Sequence, residues 1–588
     1  MKKLKPYLRA IPKILMFSVV LSLILFGITA IIKWLFGMLI RSTGRAALST
    51  GDMGFLFTTP QGWLIILLGL VVLIVYVVLE INTMIFYSQN LLHGAQKPMR
   101  SAIKKGLMSS RKMITPRGLL IVLFIAFVFP LIGAVFSISL TRDFYIPNFI
   151  RSVIDNNPFF STGYCILLIV LFLFFMFHIF VLHGILSEDV EDKEAMKQSR
   201  RMVRKNLWHF IRENLLFLLF YYLTAAIVIA ATTFLPYVII ELIAAAGIIP
   251  EGLENGLIVF FIMLMFTEAG LTIIMLSPMC IMKLTSLYDE YKTGEKKAYK
   301  LEDKNGTRVM WIIISVFIVV LGVLSIAFTS LFEQFMPKDV TTGIIAHRAG
   351  GYEAPENTVE GLNYSIGLGA MGGEIDIQRT KDGYYVVNHD PDFARVAGES
   401  RTSSEMTLEE IKQLKVEGKA PVATAEEMLD ASKDKITLFV ELKGDTADEK
   451  MADDAVRMIK ERGMEKQAVV ISLQYDLIDY IEKKYDDILT GYLCFASFGD
   501  TASIPCDYLG IEEESATSAV IDSVHAQGKK IMVWTPNIRE DQATFLKSKA
   551  DAIITDNITS AKEETKRLNE RSVYEKAFDM LFDIFMGK

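Results

Sequence analysis

Gly373-Glu374-Ile375-Asp376-Ile377 alternates carboxylates with apolar side chains. Alternation of this kind is the period of a β-strand, so Glu374 and Asp376 project from one side and the isoleucines from the other. Val440-Glu441-Leu442-Lys443 repeats the pattern further along. A lone Glu-x-Asp on a strand is more often a solvated face. The reading gains weight from the ordered set of polar strand ends around these two segments.

Working outward, strand patterns occur at Gly343–Ala346, Gly373–Gln378, Tyr384–Asn388, Ile436–Leu442, Ala468–Leu473, Leu489–Phe495, Tyr508–Glu512, Lys530–Trp534 and Ala552–Thr555. Amphipathic helical stretches intervene, for example Thr358–Gly367, Thr446–Arg462 and Ala516–Gln527. Repeated strand and helix alternation over about 230 residues predicts a parallel sheet closed into a (β/α)8 TIM barrel. Nine candidates for eight places mean that one of them lies outside the barrel.

In such a barrel, polar residues at the strand ends converge on one mouth. His347-Arg348 follows the first strand and His389-Asp390 the third. Glu374, Asp376 and Glu441 would repel one another unless a cation lay between them, and an all-oxygen set favours Ca²⁺ or Mg²⁺ over zinc. The two histidines are then free for proton transfer, to which their near-neutral pKa suits them. Arg348 can offer a forked donor pair to a phosphate, with Gly350-Gly351 allowing close backbone approach. Metal, arginine and two histidines together describe phosphodiester cleavage.

The remainder of the 588-residue chain is of another kind. Overall 52% of residues are hydrophobic, and the excess lies before about residue 332. Seven apolar runs, at about 14–40, 62–87, 118–140, 163–187, 214–236, 255–282 and 309–332, have the length needed to cross a bilayer. An eighth, shorter run, Tyr237–Ile249, reads as a re-entrant or interfacial piece. Lysine plus arginine counts through the successive connections are about 5, 2, 7, 2, 7, 0 and 7, starting with the N-terminal tail. The positive-inside rule turns this alternation into a multi-pass cell-membrane protein with a cytoplasmic N-terminus and an extracellular catalytic part. Glu80, His178 and Glu268 lie inside apolar runs, either lining a polar path or, as the preferred reading, hydrogen-bonding between helices. The net charge of -6 leaves no nucleic-acid footprint, and four cysteines provide no disulfide framework. Cys494 and Cys506 read as two buried strand thiols, with a single bridge between them as the alternative. Val573, Ala577, Phe578, Leu581, Phe582, Ile584 and Phe585 follow helical spacing, which predicts an amphipathic C-terminal helix over 571–588.

His347-Arg348-Ala349-Gly350-Gly351, Ala354-Pro355-Glu356-Asn357-Thr358, Glu374-x-Asp376, Asp382-Gly383, Val386-Val387-Asn388-His389-Asp390, Glu441-Leu442-Lys443, Val533-Trp534-Thr535-Pro536-Asn537 and Ile554-Thr555-Asp556 together resemble the glycerophosphodiester phosphodiesterase family. The likeness covers about 341–565. The N-terminal part is similar to the multi-spanning domain attached to some bacterial members. Ala349 stands where relatives often have glycine, and Ser472-Leu473-Gln474 replaces the usual run after the fifth strand.

The resemblance implies an α-helical polytopic membrane domain over 1–335, followed by an α/β (β/α)8 barrel over 341–570. It implies Glu374, Asp376 and Glu441 as ligands of a divalent cation. His347 would be the base toward the glycerol 2-hydroxyl or water, and His389 the acid toward the leaving alcohol. Arg348 would hold the phosphate and Glu356 and Asn357 would orient the pair. Lys443 would touch phosphate or balance the carboxylates, and Trp534 would wall the glycerol pocket. The expected reaction is hydrolysis of a glycerophosphodiester or lipid-derived substrate beside membrane lipid, giving sn-glycerol 3-phosphate and an alcohol. Its rivals are a lysophospholipase D or phospholipase C-like activity and a non-catalytic phosphodiester-binding receptor or transporter.

Overall fold

A computed structural model describes residues 5–43, 47–49, 53–95, 98–133, 138–141, 146, 148–248, 251–295, 315–327, 339–495, 497–571, 575, 576 and 579. Two compact units emerge. The first comprises Met1–Trp34, Ile66–Ile146 and Ile150–Phe335, the second Leu35–Ile65, Pro147–Phe149 and Met336–Lys588. The amphipathic segment expected over 571–588 falls almost wholly outside the described residues.

The first unit is helical because its sequence has no other way to satisfy its backbone in an apolar setting. Among the described residues, five helices are long and apolar enough to cross a membrane: Arg9–Arg41, Pro60–Leu92, Pro158–Glu188, Leu207–Ala245 and Gly256–Thr293. The third expected run, 118–140, is described through Leu131 as the helix Pro116–Leu131, which meets the preceding helix Pro98–Met113 at 110°. Thr115 caps the second piece by accepting from Gly118 N, and Pro116 takes its first turn. Ser315–Ala327 is a shorter apolar helix in the seventh expected place. The run expected to be re-entrant, Tyr237–Ile249, is corrected. Through Ala245 it continues the preceding helix across a π-turn at Ala230–Phe234, because Pro236 falls in the first turn of the next helical piece, where a missing N–H is tolerated.

The ionisable residues in these runs have partners of their own. Glu268 accepts from Thr232 Oγ1 and Thr233 Oγ1 at that π-turn, at 2.5 and 2.8 Å. Glu80 accepts from Ser139 N at 2.7 Å and from the Ser139 hydroxyl. His178 donates from Nδ1 to Phe174 O at 2.7 Å and accepts from Arg200 at its other nitrogen. The hydrogen-bonding reading accounts for all three.

The second unit is built on a closed sheet. Its strands are β1 (Gly343–Ala346), β2 (Gly372–Arg379), β3 (Tyr385–Val387), β4 (Thr437–Leu442), β5 (Ala468–Ser472), β6 (Leu489–Cys494), β7 (Tyr508–Glu512), β8 (Lys530–Trp534) and β9 (Ala552–Thr555). Eight run parallel in the order β1-β9-β8-β7-β6-β5-β4-β2, and β1 pairs with β2 to close the barrel. The supernumerary strand is β3, which folds back antiparallel on β2, with Ile377 opposite Val387. Asp382-Gly383 supplies that turn, and Gly383 takes a positive φ of 88°.

Side-chain alternation then divides the barrel. Ile345, Phe439, Val469, Ile471, Met532 and Ile554 fill its interior. The intervening residues pack outward against the helices. Helix starts follow sequence signals, with Thr358, Thr424, Asp448 and Thr517 each accepting a backbone N–H of the first turn. Cys494 and Cys506 are free and buried. Residues 35–65 contribute a short strand, Ala47–Ser49, that pairs antiparallel with Ser497–Gly499 in the connection after β6.

Candidate active site

Register decides which residues meet. Glu374 lies opposite Phe439 and Asp376 opposite Glu441, so all three carboxylates share the inward face of β2 and β4 at the C-terminal mouth. Their ligand oxygens lie within 4.8 Å of one another, and the side chains are almost fully buried. Lys443, on the same face, donates to Asp376 Oδ1 at 2.8 Å and to Glu441 Oε2 at 3.3 Å. One ammonium against three carboxylates leaves negative charge uncompensated. Burial, and then the neighbouring Asp376, push the Glu374 carboxyl well above its usual range. Burial acts the same way on Asp376, but Lys443, His389 and Arg348 overcome it and hold that carboxyl far below its usual range.

Glu374 Oε2 accepts from Arg348 N at 2.7 Å, whereas buried Oε1 has no hydrogen-bond partner among the described residues. An orphaned carboxylate oxygen beside two other carboxylates fits a cation, and these three residues could hold a divalent metal ion. Asn357, expected near the substrate, donates from Nδ2 to Asp376 Oδ2 at 2.9 Å and so steadies this cluster.

The segment from His347 to Asn357 is shaped by left-handed backbone. Arg348, Ala349, Gly351 and Asn357 have φ of 50°, 61°, 59° and 56°. Glycine is free in this region and alanine is not, so Ala349 carries a backbone cost that glycine would lack. A Cβ on Gly351 would collide with the Asp556 carbonyl. Gly351→Ala should therefore destabilise the catalytic domain by about 2–4 kcal/mol and lower kcat, read by thermal melting and initial rates. An unchanged melting midpoint would show that this approach is not tight.

The two histidine rings stand 6.5 Å apart, nearly perpendicular. Each is backed by a carboxylate. His347 Nδ1 meets Asp556 Oδ1 at 2.7 Å, and Asn537 Nδ2 donates to Asp556 Oδ2 at 2.6 Å. His389 Nδ1 meets Asp390 Oδ1 at 2.8 Å. These bonds orient each ring through Nδ1 and leave Nε2 for other work. The rings are biased in opposite directions. Burial opposes charge on His347, but Asp556 outweighs it and the ring keeps its proton above the ordinary imidazole range. At His389 burial prevails over the pull of Asp390, so the ring is neutral over a wider range. Two rings biased in opposite directions suit a donor and acceptor pair for protons.

Arg348 lies beside them, four-fifths covered, with Nη1 only 3.3 and 3.4 Å from the Glu356 oxygens and buried Nε without a partner among the described residues. Trp534 ends β8 opposite Glu512, on the wall of the mouth. The expected residues are thus gathered at one mouth. Asp390, Asn537 and Asp556 stand in the quoted motifs without an assigned role, although an acid directly after His389 and another just past the last strand were visible signals, and Arg395 carries no sequence signal.

The description "Membrane domain of glycerophosphoryl diester phosphodiesterase" matches residues 2–327, and "Glycerophosphoryl diester phosphodiesterase family" matches 347–560. A glycerophosphodiester phosphodiesterase of Caldanaerobacter subterraneus subsp. tengcongensis is 29% identical over 235 residues, which span 37% of this chain and 94% of the relative. One of Bacillus altitudinis is 25% identical over 235 residues, 37% of this chain and 94% of the relative. A phosphodiesterase of Oleispira antarctica, solved with the product sn-glycerol-3-phosphate, aligns at 22% identity and a TM-score of 0.35, covering 39% of this chain and 98% of its own. With both of its parts matched, the chain belongs to the glycerophosphodiester phosphodiesterase family, as a membrane protein that joins the family's membrane domain to its catalytic barrel.

Proposed function

We propose that this phosphodiesterase hydrolyses glycerophosphodiesters to sn-glycerol 3-phosphate and an alcohol, with Ca²⁺ or Mg²⁺ held by Glu374, Asp376 and Glu441, at the outer face of a cell membrane. The observation that carries the reading is the pair of carboxylate-backed histidines, 6.5 Å apart, beside a cluster of three buried carboxylates. The cation, when bound, would stabilise negative charge on the phosphate. Arg348 offers its loosely held Nη1 to the phosphate oxygens, and Trp534 walls the glycerol pocket. As the new O–P bond forms, one histidine takes the proton of the attacking water, or of the glycerol 2-hydroxyl, in which case a cyclic phosphate forms that water then opens with the two histidine roles exchanged. The other gives a proton to the alcohol oxygen as the old P–O bond breaks. The downward bias of His389 and the upward bias of His347 favour them as base and acid, the reverse of the order inferred from the resemblance.

Sidedness rests on two supports. The alternation of basic residues favours an outer position for the connection between the first two apolar helices. Backbone pairing of Ala47–Ser49 in that connection with Ser497–Gly499 favours the same side for the barrel. Deacylated phospholipids, lysophospholipids and polyglycerol phosphates all carry the required phosphodiester. The purified full-length protein should release sn-glycerol 3-phosphate from at least one of glycerophosphocholine, lysophosphatidylcholine and a polyglycerol phosphate, and the best substrate separates the soluble, lipid and polymer classes. Absence of turnover on all three overturns the reading. Protease added to intact cells should cleave the barrel, and protection would place it on the inner face.

A further inference from the structure

Arg395 belongs to a short helical turn, Ala394–Ala397, just past the His389-Asp390 pair. Asp392 Oδ1 accepts from Ala394 N, and Asn388 Nδ2 donates to the carbonyls of Asp390 and Asp392, so the approach to the turn is tied down. From this base the Arg395 guanidinium makes three short bonds to two carboxylates. Nε donates to Asp390 Oδ2 at 2.6 Å, Nη1 to Glu356 Oε2 at 2.7 Å and Nη2 to Glu356 Oε1 at 2.6 Å. The other oxygen of Asp390 takes the His389 ring. The same Glu356 oxygens take Arg348 at the much longer 3.3 and 3.4 Å.

The two carboxylates belong to different halves of the site. Asp390 orients a proton-transfer ring, while Glu356 holds the arginine that faces phosphate. No other group among the described residues donates to Asp390 Oδ2. Arginine is suited to such a place because its planar fork can bridge two acceptors at a fixed angle, which a lysine ammonium cannot. Removing it frees Asp390 to rotate away from His389. It also leaves Glu356 with Arg348 as its sole cation, so that Glu356 closes on Arg348 and competes with phosphate for it.

We propose that Arg395 is a positioning residue that sets the His389-Asp390 pair and the Arg348 phosphate contact together, through Asp390 and Glu356. The inference rests on the phosphodiesterase reading above. Its test compares wild type, Arg395→Ala, Arg395→Lys, Asp390→Asn and Glu356→Gln in the full-length protein, reading kcat, KM and the affinity for inorganic phosphate. Asp390→Asn should lower kcat with little effect on phosphate, and Glu356→Gln should alter phosphate affinity more than kcat. Arg395→Ala should do both, lowering kcat about 10²-fold and weakening phosphate about tenfold. Arg395→Lys should recover one of the two properties at most, and millimolar guanidinium should restore part of the kcat lost in Arg395→Ala.

Values within twofold of wild type in Arg395→Ala overturn the proposal. So does full recovery of both properties in Arg395→Lys, or a lowered melting midpoint with no rescue by guanidinium. Failure of the underlying reading shows separately, as a wild-type protein without turnover. In that case the phosphate affinity of Arg395→Ala, measured by calorimetry, still decides the matter.

Discussion

Replacing either His347 or His389 by alanine should lower kcat by about 10³-fold or more while the barrel stays folded. Each ring is oriented through Nδ1 by a carboxylate, at 2.7 and 2.8 Å, and the pair flanks one gap. Proton transfer by a positioned side chain is worth about 10²–10⁴-fold, or roughly 3–5 kcal/mol of barrier. Loss of either ring leaves one proton movement without a partner, so the two deletions should be similar in size and far from additive when combined. Structural cost is small because both rings lie at the mouth, above the apolar interior that holds the strands together. Circular dichroism and melting should match wild type. Activity within tenfold of wild type in either variant would remove that histidine from the chemistry.

Chelation should have an effect of comparable size, with activity recovered on adding Mg²⁺ or Ca²⁺. Glu374, Asp376 and Glu441 present oxygens within 4.8 Å of one another, against which Lys443 supplies a single positive charge. The electrostatics add a pH signature. Without a cation the Glu374 carboxyl is raised, so the folded state binds a proton there that the unfolded chain gives up at lower pH. Cation-free protein therefore loses stability as pH rises from the ordinary carboxylate range toward the raised value. A bound cation replaces that proton. Adding it should raise the melting midpoint more at pH 8 than at pH 5, where protonated Glu374 competes. Indifference of both activity and melting to a chelator would remove the metal from the site.

Much of this protein was legible along the chain because its strongest signals are periodic. Alternation at Gly373–Ile377 placed Glu374 and Asp376 on one face, and β2 shows them inward on that face. Twenty-residue apolar runs announced the helical unit, since no shorter or more polar segment crosses a bilayer. Other features depend on neighbours that sequence does not name. The pattern of β3 matched its parallel neighbours, yet its turn follows β2 too closely for a crossover, so it folds back antiparallel. The short run after Pro236 does not announce that it continues the preceding helix, which it does because a π-turn at Ala230–Phe234 accommodates the proline.

The amino-acid sequence by itself determined the two-part organisation, the barrel and the residue types of the site, because hydropathy period and strand-end polarity are local properties. Asp390 backs the histidine beside it in the chain, whereas tertiary structure alone decided that Asp556 backs His347. Asp556 reaches His347 across 209 residues only because barrel closure sets β9 beside β1. Arg395, five residues past Asp390 on one loop, reaches Glu356 only because that loop meets the one after β1 over the mouth. Contacts of that kind are set by closure and register, which no single stretch of chain encodes.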